Sequence, residues 1–292
     1  MSKRHDYPPG APCWVDTFQP DPAAASRFYG GLLGWEFEEP PELPGGLESR
    51  YRVAHLRGSV VAGIGQAPTA MSRAVWSTYI RVDSVEDALT RGVDAGGRVL
   101  MGPLDTGADG RFAVLTDPSG VAVGLWQARA RKGAQLVNEP GSWAMSALHT
   151  NSKDDAETFY GEVFGWQLEP MPVTPLSFWR LPGYVGDEPR QSMPRDAIAV
   201  LAPIEEASGV PPHWAVNFFV EDVDATSETA LALGGTILVP PVDTPGFRSA
   251  VIADPQGGVI AISTPSNPPV CVFRRPAGAE VRGYCHAWPA HE

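Results

Sequence analysis

Apolar and polar residues follow two periodicities along this chain. Most of the chain consists of short runs in which apolar and polar residues alternate, as is typical of strands. Residues 21–36, DPAAASRFYGGLLGWE, have the spacing of a helix instead. We predict a helix that begins at Pro22, is capped by Asp21, and ends at Gly30-Gly31 and Gly34. The apolar residues on one face of this helix are Ala24, Ala25, Phe28 and Leu32.

The same helical segment recurs at residues 152–167, SKDDAETFYGEVFGWQ. Phe28 corresponds to Phe159 and Gly34 to Gly165, an offset of 131 residues in both cases (159 − 28 and 165 − 34). The repeats of solenoid proteins are roughly 20–50 residues long. The chain is therefore predicted to contain two copies of one domain.

Each copy is itself predicted to consist of two strand–helix–strand–strand–strand units. In the first copy, a strand at 76–82 opens the second unit, and a Pro-Gly turn at 117–120 precedes the last strand. The second copy repeats these features at 213–220 and 254–257, with offsets of 138 and 137 (214 − 76 and 254 − 117). The larger offsets predict a longer loop between residues 170 and 212, rich in Pro and Gly, that can cover a pocket.

The repeats divide the chain into five parts. They are a loosely held N-terminal arm (1–11), a first domain (12–128), a polar linker (129–142), a second domain (143–264) and a C-terminal tail (265–292) that matches nothing upstream.

Composition narrows the class of protein and its partners. The formal charge of −12 disfavours nucleic acid and anionic membranes, because few basic groups remain to neutralise phosphates. Three scattered cysteines cannot form a disulfide framework, which favours a reducing cytoplasm. The polar N-terminus and the absence of any run of about 18 apolar residues predict no classical export signal and no membrane span. We expect a cytoplasmic monomer or homodimer.

The repeated motifs resemble those of the vicinal oxygen chelate superfamily, which includes glyoxalase I, extradiol dioxygenases and bleomycin-resistance proteins. The matching features are the Phe-Tyr helix followed by Gly-Trp, the Val-Asp or Val-Glu join after the strands at 76–82 and 213–220, and the Asp-Pro-x-Gly turns. The resemblance implies an α+β fold of four βαβββ units that form two half-barrel clefts. It leaves open which units pair. The chain is most similar to a tandem actinobacterial branch that includes a mycobacterial culture-filtrate antigen and hydroxylases of antibiotic clusters.

The resemblance also implies where metal ligands would stand. In metal-using members they occupy three positions in a domain, and in this sequence those positions are Trp14, Ser77 and Gly124, then Met145, Ala215 and Ala261. A divalent ion of this kind requires His, Asp or Glu ligands. We therefore expect no metal cofactor, which puts glyoxalase and dioxygenase chemistry in doubt.

Strand alternation predicts which side chains line the two clefts. In the first domain they are Trp14, Asp16, Phe18, Ser77, Tyr79, Arg81, Ala122, Gly124 and Trp126. In the second domain they are Met145, Ala147, His149, Ala215, Asn217, Phe219, Ala261 and Ser263. This mostly apolar lining with few polar groups is typical of a small-molecule pocket, and a filled core is the alternative.

A few polar residues carry the candidate chemistry. Asp16, Tyr79 and His149 are the catalytic candidates, since a carboxylate in a cleft either contacts a ligand or forms a salt bridge, here to Arg81 or Arg111. His149 and His213 either form a displaced metal site or are ordinary polar residues. The predicted ligand-binding residues are Trp14, Asp16, Phe18, Ser77, Tyr79, Arg111, Trp126, His149, His213, Asn217 and Arg248, where the two arginines either clamp a ligand or anchor a turn.

Three functions are compatible with these observations. The first is metal-independent binding of an apolar, oxygenated, aromatic small molecule in antibiotic biosynthesis or resistance. The second is an isomerase, lyase or accessory hydroxylase that uses Asp16, Tyr79 and His149 without the usual metal. The third is an interaction protein with vestigial clefts.

Overall fold

The structure of the protein is a computed structural model. It describes residues 4–38, 42–43, 47–48, 51–68, 73–172, 174–186, 194–205, 209–244, 246–266, 270–274 and 280–284. No helix within these ranges is long and apolar enough to cross a membrane.

The first domain contains ten strands and two helices in the described part of the chain. In order they are β1 (Pro12–Gln19), α1 (Pro22–Leu33), β2 (Glu36–Phe37), β3 (Glu42–Leu43), β4 (Leu47–Glu48), β5 (Tyr51–Leu56), β6 (Ser59–Gln66), β7 (Val75–Arg81), α2 (Val85–Asp94), β8 (Arg98–Asp105), β9 (Gly110–Thr116) and β10 (Ala122–Ala128).

The second domain repeats this order, and a strand pair follows it. The elements are β11 (Trp143–Thr150), α3 (Lys153–Phe164), β12 (Gln167–Pro170), β13 (Ser177–Arg180), β14 (Ala197–Pro203), β15 (His213–Phe219), α4 (Val223–Ala232), β16 (Thr236–Thr244), β17 (Phe247–Ala253), β18 (Val259–Pro265), β19 (Val270–Arg274) and β20 (Glu280–Tyr284).

Each domain forms its own eight-stranded mixed sheet. The strand orders are β2-β5-β6-β1-β7-β10-β9-β8 and β12-β13-β14-β11-β15-β18-β17-β16. The first strands of the two units in a domain pair antiparallel, with Asp16 opposite Ser77 in one sheet and Ala147 opposite Ala215 in the other. The first unit therefore pairs with the second and the third with the fourth, and the predicted α+β fold is confirmed.

Helix α1 begins at Pro22 and ends at Gly34, both as predicted. The Asp21 carboxylate accepts hydrogen bonds from the backbone N–H groups of Ala23 (2.9 Å) and Ala24 (3.0 Å). Gly30 and Gly31 lie inside the helix rather than at its end, which is Gly34 in the left-handed conformation (φ 73°). A Cβ on Gly31 would lie 3.0 Å from a methyl group of Leu233, so this glycine allows α1 to approach the segment that follows α4 closely.

The two domains share an aromatic core. The ring of Phe218 lies 5.4 Å from Trp35 and 5.2 Å from Trp76, which belong to the other domain. The hydroxyl groups of Thr78 and Ser146 are buried and form a hydrogen bond of 2.7 Å between β7 and β11. The helix-covered faces of both sheets are thus buried against each other, and the opposite faces are left to line the clefts.

The FY helices and the Asp-Pro-x-Gly turns also connect the domains. Tyr29 of α1 donates to Asp254 Oδ2 in the second domain (2.7 Å), and Tyr160 of α3 donates to Asp117 Oδ2 in the first (3.4 Å). Both tyrosines are fully buried, and each accepts a hydrogen bond from the indole of a tryptophan. The signature motifs of the repeat are therefore domain-interface residues.

The arm is more firmly held than expected from its polar sequence. The Tyr7 hydroxyl is buried and donates to the carbonyl of Ala134 at 2.7 Å. Gly10 accepts a hydrogen bond from the indole of Trp166 at 2.7 Å, and its N–H donates to the carbonyl of Arg81. The arm therefore joins the linker and both domains.

The additional loop of the second domain lies between β13 and β14. Its described part includes Tyr184, whose hydroxyl accepts a hydrogen bond from Arg4 Nη2 at 2.5 Å. The loop thus meets the arm. The loop that is predicted to cover a pocket also includes residues 187–193, which lie outside the described residues.

Candidate functional site

The predicted lining residues of the first domain share one face of its sheet. Trp14 and Gly124 lie opposite Tyr79 on the two neighbouring strands, and Asp16 lies opposite Ser77. The alternate residues Val15 and Thr78 are fully buried on the helix-covered face. We call the face that carries Asp16 and Tyr79 the cleft face of the first domain.

Asp16 lies at the centre of this cleft face, in a network of aromatic residues. Its Oδ2 accepts a hydrogen bond from the Tyr51 hydroxyl at 3.0 Å, and the Tyr51 hydroxyl accepts one from the Trp14 indole, also at 3.0 Å. Tyr79 is a second hydroxyl donor to the carboxylate. Oδ1 of Asp16 is buried and has no hydrogen-bond partner among the described residues.

Three glycines make room for the rings around Asp16. A Cβ would lie 2.0 Å from the Tyr51 hydroxyl at Gly63, 2.7 Å from the Phe18 ring at Gly65, and 2.2 Å from the Tyr79 ring at Gly124. Since such distances are impossible for real side chains, the aromatic network requires the absence of side chains here. Gly124 stands at a family ligand position, where its role in this chain is to accommodate Tyr79.

The surroundings of Asp16 disfavour its charged form. Burial raises the pKa of Asp16 to about 7, and the hydrogen bonds from Tyr51 and Tyr79 offset only part of that effect. Neither arginine considered for a salt bridge reaches it, because Arg81 pairs with Asp83 and Arg111 with Glu86. Asp16 can therefore accept or donate a proton near neutral pH.

Sequence reasoning missed Tyr51. Tyr51 lies in β5, opposite Gly65 of β6, and β6 is the strand that pairs with β1. Tyr51 and Val53 are two residues apart, so the sequence predicts that both face the same side of the sheet. The contact of Tyr51 with Asp16, however, depends on which strands lie side by side. The two glycines of β6 are the sequence signal that a large side chain from a neighbouring strand lies over them.

The second domain has small side chains where the first has large ones. Ala147, Asn217, Ser249 and Ser263 stand at the positions of Asp16, Tyr79, Phe112 and Trp126 (offsets 131, 138, 137 and 137). Met145 and Ala261 flank Asn217 on neighbouring strands and are half-buried. The lining of this cleft face is therefore more open than that of the first domain.

Asn217 provides the main polar group of the second cleft face. Its Nδ2 donates to the Ser263 hydroxyl at 2.8 Å, which fixes the orientation of the amide. The amide oxygen Oδ1 is buried and lacks a hydrogen-bond partner in the described parts of the chain. A buried acceptor without a donor is costly, so a ligand with an O–H or N–H group would stabilise it.

His149 and His213 stack on each other at one end of this face. Their ring centroids are 4.8 Å apart and their planes differ by 5°. Burial and the neighbouring His213 lower the pKa of His149 to about 4, so its ring is neutral at pH 7. Because the lone pairs of parallel rings lie in parallel planes, the two imidazoles in this arrangement do not direct nitrogen atoms at one ion.

Arg111 and Arg248 do not line the clefts. Arg111 alternates with Phe112, and its guanidinium lies 2.5 Å from Glu86 in the first turn of α2. Arg248 forms the equivalent pair with Asp224 of α4, also at 2.5 Å. They connect β9 and β17 to the helices, which favours the alternative of a structural anchor, and contact of either arginine with a ligand stays a prediction.

The family's metal positions do not fit a metal ion in this chain. They carry indole, hydroxyl, thioether or methyl groups, or only hydrogen, at Trp14, Ser77, Gly124, Met145, Ala215 and Ala261. Across the described ranges, no group of three or more His, Cys, Asp or Glu side chains lies close enough to hold an ion.

Comparison with protein families matches both domains. Residues 14–125 match the glyoxalase/bleomycin resistance protein/dioxygenase superfamily, and residues 145–263 match the glyoxalase-like domain. Two relatives align over nearly their whole length. CFP32 of Mycobacterium bovis, which is named as a glyoxylase, is 38% identical over 91% of this chain and 99% of its own. The anthracycline biosynthesis protein DnrV of Streptomyces peucetius is 34% identical over 88% of this chain and 94% of its own.

Solved structures show the same fold at low sequence identity. A manganese(II)-bound glyoxalase from Novosphingobium aromaticivorans aligns with a TM-score of 0.58 and 20% identity, over 87% of this chain and 81% of its own. The 2,3-dioxygenase LapB from Pseudomonas sp. KL28 aligns with a TM-score of 0.57 and 12% identity, over 94% of both chains.

Proposed function

The chain belongs to the glyoxalase/bleomycin resistance protein/dioxygenase superfamily, as two tandem domains, and on this basis we propose that it binds an apolar, oxygenated aromatic small molecule without a metal ion. The similarity to DnrV supports a place in the biosynthesis of an antibiotic or in resistance to one. The molecule would lie on the cleft faces, where the first domain offers Asp16 and the second Asn217.

One observation carries this proposal. Each cleft face contains one buried side-chain oxygen for which the described residues provide no hydrogen-bond donor, namely Oδ1 of Asp16 and Oδ1 of Asn217. Tyr79 and Asn217 are equivalent positions, so the two clefts place their polar groups in the same region of the sheet (217 − 79 = 138). Since unpaired buried acceptors are rare, a hydroxyl-bearing ligand explains both.

The walls of the clefts support an apolar ligand. Met101 and Leu104 on β8 lie opposite Val114 and Phe112 and are 41% and 45% exposed. On β16, Val239 is 43% exposed and lies opposite Val251. Exposed apolar side chains on the lining strands, with few polar groups between them, favour a flat apolar body with one or two hydroxyl groups.

Metal independence is part of the proposal. It is supported by the side chains at the six positions where metal-using family members have their ligands. Of these, only Trp14, Ser77 and Met145 have a side-chain nitrogen, oxygen or sulfur atom. None of these three is a usual ligand of manganese or iron in proteins. Binding would therefore depend on hydrogen bonds and apolar contacts.

Calorimetric titration with β-naphthol tests this function, because the probe is flat, apolar and has one hydroxyl donor. We expect binding to the wild type and weaker binding of β-methoxynaphthalene, which lacks the donor. The variants Asp16→Leu and Asn217→Leu should each weaken the site in their own domain by about tenfold, the effect of losing one hydrogen bond to a buried acceptor.

Asp94→Leu is the matched control, since Asp94 is exposed at the end of α2. It should leave the affinity for β-naphthol unchanged. Equal affinities for β-naphthol and its methoxy analogue, or no binding of either compound, would contradict the proposal.

Acid–base catalysis is a second candidate function, favoured by the protonation behaviour of Asp16. A carboxyl group with a pKa of about 7 that is held by the hydroxyls of Tyr51 and Tyr79 is suited to proton transfer at neutral pH. His149, the third catalytic candidate, lies on the other sheet, so the three would not act in one cleft. Solvent deuterium uptake by β-tetralone, an enolisable aromatic ketone, should then require Asp16 and be lost in Asp16→Asn.

A further inference from the structure

The linker that follows the first domain lies across the sheet of that domain. The N–H of Ala134 donates to the carbonyl of Cys13 in β1 at 2.9 Å. The N–H of the next residue, Gln135, donates to the carbonyl of Val60 in β6 at 2.7 Å. Cys13 is fully buried. The linker thus covers the place where the start of β1 meets β6.

The second domain has the same strand geometry at this place. The pairing of β1 with β7 shifts register at Cys13, and the pairing of β11 with β15 shifts register at Ala144 (144 − 13 = 131). Ala197 of β14 is the counterpart of Val60 (197 − 60 = 137). Ala144 is half-buried, and no described residue outside the strands donates its N–H to the Ala144 carbonyl. The covering segment of the first domain therefore has no counterpart among the described residues here.

A groove marks this place in the second domain. Ala144 and Ala197 line it together with Met145, Ile198 and Arg195, and it contains a cavity of about 70 Å³. Small-molecule pockets commonly measure about 300–1,000 Å³, so the cavity is too small for a ring compound. A segment of chain that crosses the groove is the better occupant. We call it the β11–β14 groove.

The C-terminal tail follows the second domain as the linker follows the first. It leaves β18 at Pro265, the counterpart of Ala128 at the end of β10 (265 − 128 = 137). In the linker, Ala134 comes six residues after the end of β10 (134 − 128). In the tail, Cys271 comes six residues after the end of β18 (271 − 265), and it belongs to β19, Val270–Arg274. The tail is therefore extended at the distance where the linker meets β1.

The apolar pattern of β19 suits a covered position, although the sequence of the tail matches nothing upstream. The linker residues Ala134 and Leu136 are both buried. The tail has Cys271 and Phe273 at the same distances from its domain. Residues two apart in a strand share one face, and covering that face removes apolar surface from water.

We propose that β19 of the C-terminal tail docks in the β11–β14 groove, as the linker docks on β1 and β6. The docked strand covers Ala144 and narrows the second cleft beside Met145. The proposal comes from the internal repeat and does not depend on the ligand, or on the metal independence, proposed for the clefts.

Cross-linking within the full chain tests this docking. Cys285→Ser leaves Cys271 as the tail's only cysteine, and Ala144→Cys adds a thiol in the groove, while Cys13 is fully buried. A short bismaleimide joins two thiols that lie close together, and mass spectrometry of the digested protein identifies the link. We expect a link between Cys271 and position 144, and its loss in urea that unfolds the protein.

Glu221→Cys, again with Cys285→Ser, is the matched control. Glu221 is exposed, and its carbonyl accepts a hydrogen bond from Thr264 at 3.3 Å, so it lies beside the start of the tail. A freely moving tail would be linked to position 221 at least as readily as to the groove, whereas a docked β19 favours position 144 several-fold.

Arg195→Cys provides a second groove position if Ala144→Cys disturbs β11, and it should be linked to Cys271 as well. A yield at position 221 that equals or exceeds the yield at both groove positions would overturn the proposal. So would the absence of a link at both groove positions. Cross-linked dimers in place of links within one chain would show that a second copy, and not the tail, occupies the groove.

Discussion

At the scale of single residues, the protonation of Asp16 depends strongly on its surroundings. Asp16 is 3% exposed, and the titratable groups that face it are Tyr51 of β5 and Tyr79 of β7. Burial raises its pKa from 3.8 to about 7. In the unfolded chain the carboxyl group is ionised above about pH 4.

Asp16 should make the folded state less stable as pH rises. Between about pH 4 and pH 7 the folded protein holds a proton on Asp16 that the unfolded chain has lost, so stability falls across this window and levels off above it. The full change is on the order of 4 kcal/mol, at about 1.4 kcal/mol for each tenfold change in proton affinity. Urea unfolding at several pH values measures the difference in the free energy of unfolding between the wild type and Asp16→Asn. A difference that does not vary with pH would contradict the buried carboxyl.

At the scale of elements, the glycines of the cleft strands are as important as the side chains. Gly124 of β10 accommodates the Tyr79 ring of β7, and a Cβ there would lie 2.2 Å from that ring. Gly161 of α3 has its nearest neighbour at 3.4 Å and accepts a Cβ without strain.

Alanine at these two glycines should therefore have opposite effects. Gly124→Ala should displace Tyr79 from Asp16 and cost about 1–3 kcal/mol, the usual cost of overpacking. Gly161→Ala should gain about 0.5–1 kcal/mol, because alanine loses less backbone entropy in a helix. Denaturant unfolding of both variants checks this. Equal effects at the two sites would show that the rings do not pack as described.

The facing of residues within a strand could be predicted from the sequence. The features that could not be predicted depend on contacts with distant parts of the chain. Alternation in β1 correctly placed Trp14 and Asp16 on one face, because period two is a local property of strands. Gly34 ends α1 as predicted, but Gly30 and Gly31 do not, since Gly31 serves contact with Leu233 of the other domain rather than termination. The pairing of Asp16 with Tyr51 was not predictable either, because it depends on which strands lie side by side.

At the scale of the whole molecule, the two domains are joined by their most recognisable motifs. Tyr29 makes a short hydrogen bond to Asp254 (2.7 Å), whereas the equivalent Tyr160 makes a longer one to Asp117 (3.4 Å). Burial and the neighbouring carboxylates raise the pKa of both tyrosines, which remain neutral donors.

Removal of the two hydroxyl groups should reveal this asymmetry. Tyr29→Phe should cost about 2–3 kcal/mol and Tyr160→Phe about 1–2 kcal/mol, since the shorter of the two hydrogen bonds is lost in the first case. Thermal or denaturant unfolding measures both. A smaller loss for Tyr29→Phe than for Tyr160→Phe would contradict the described interface.

The affinity for β-naphthol in the absence and presence of a metal tests the central claim most directly. Protein dialysed against EDTA would be titrated calorimetrically with the probe, and the titration repeated after removal of EDTA and addition of manganese(II) chloride. Because binding is attributed to Asp16, Asn217 and apolar walls, the two dissociation constants should agree within about twofold. Binding that appears only with manganese would show that an ion, and not these side chains alone, holds the ligand.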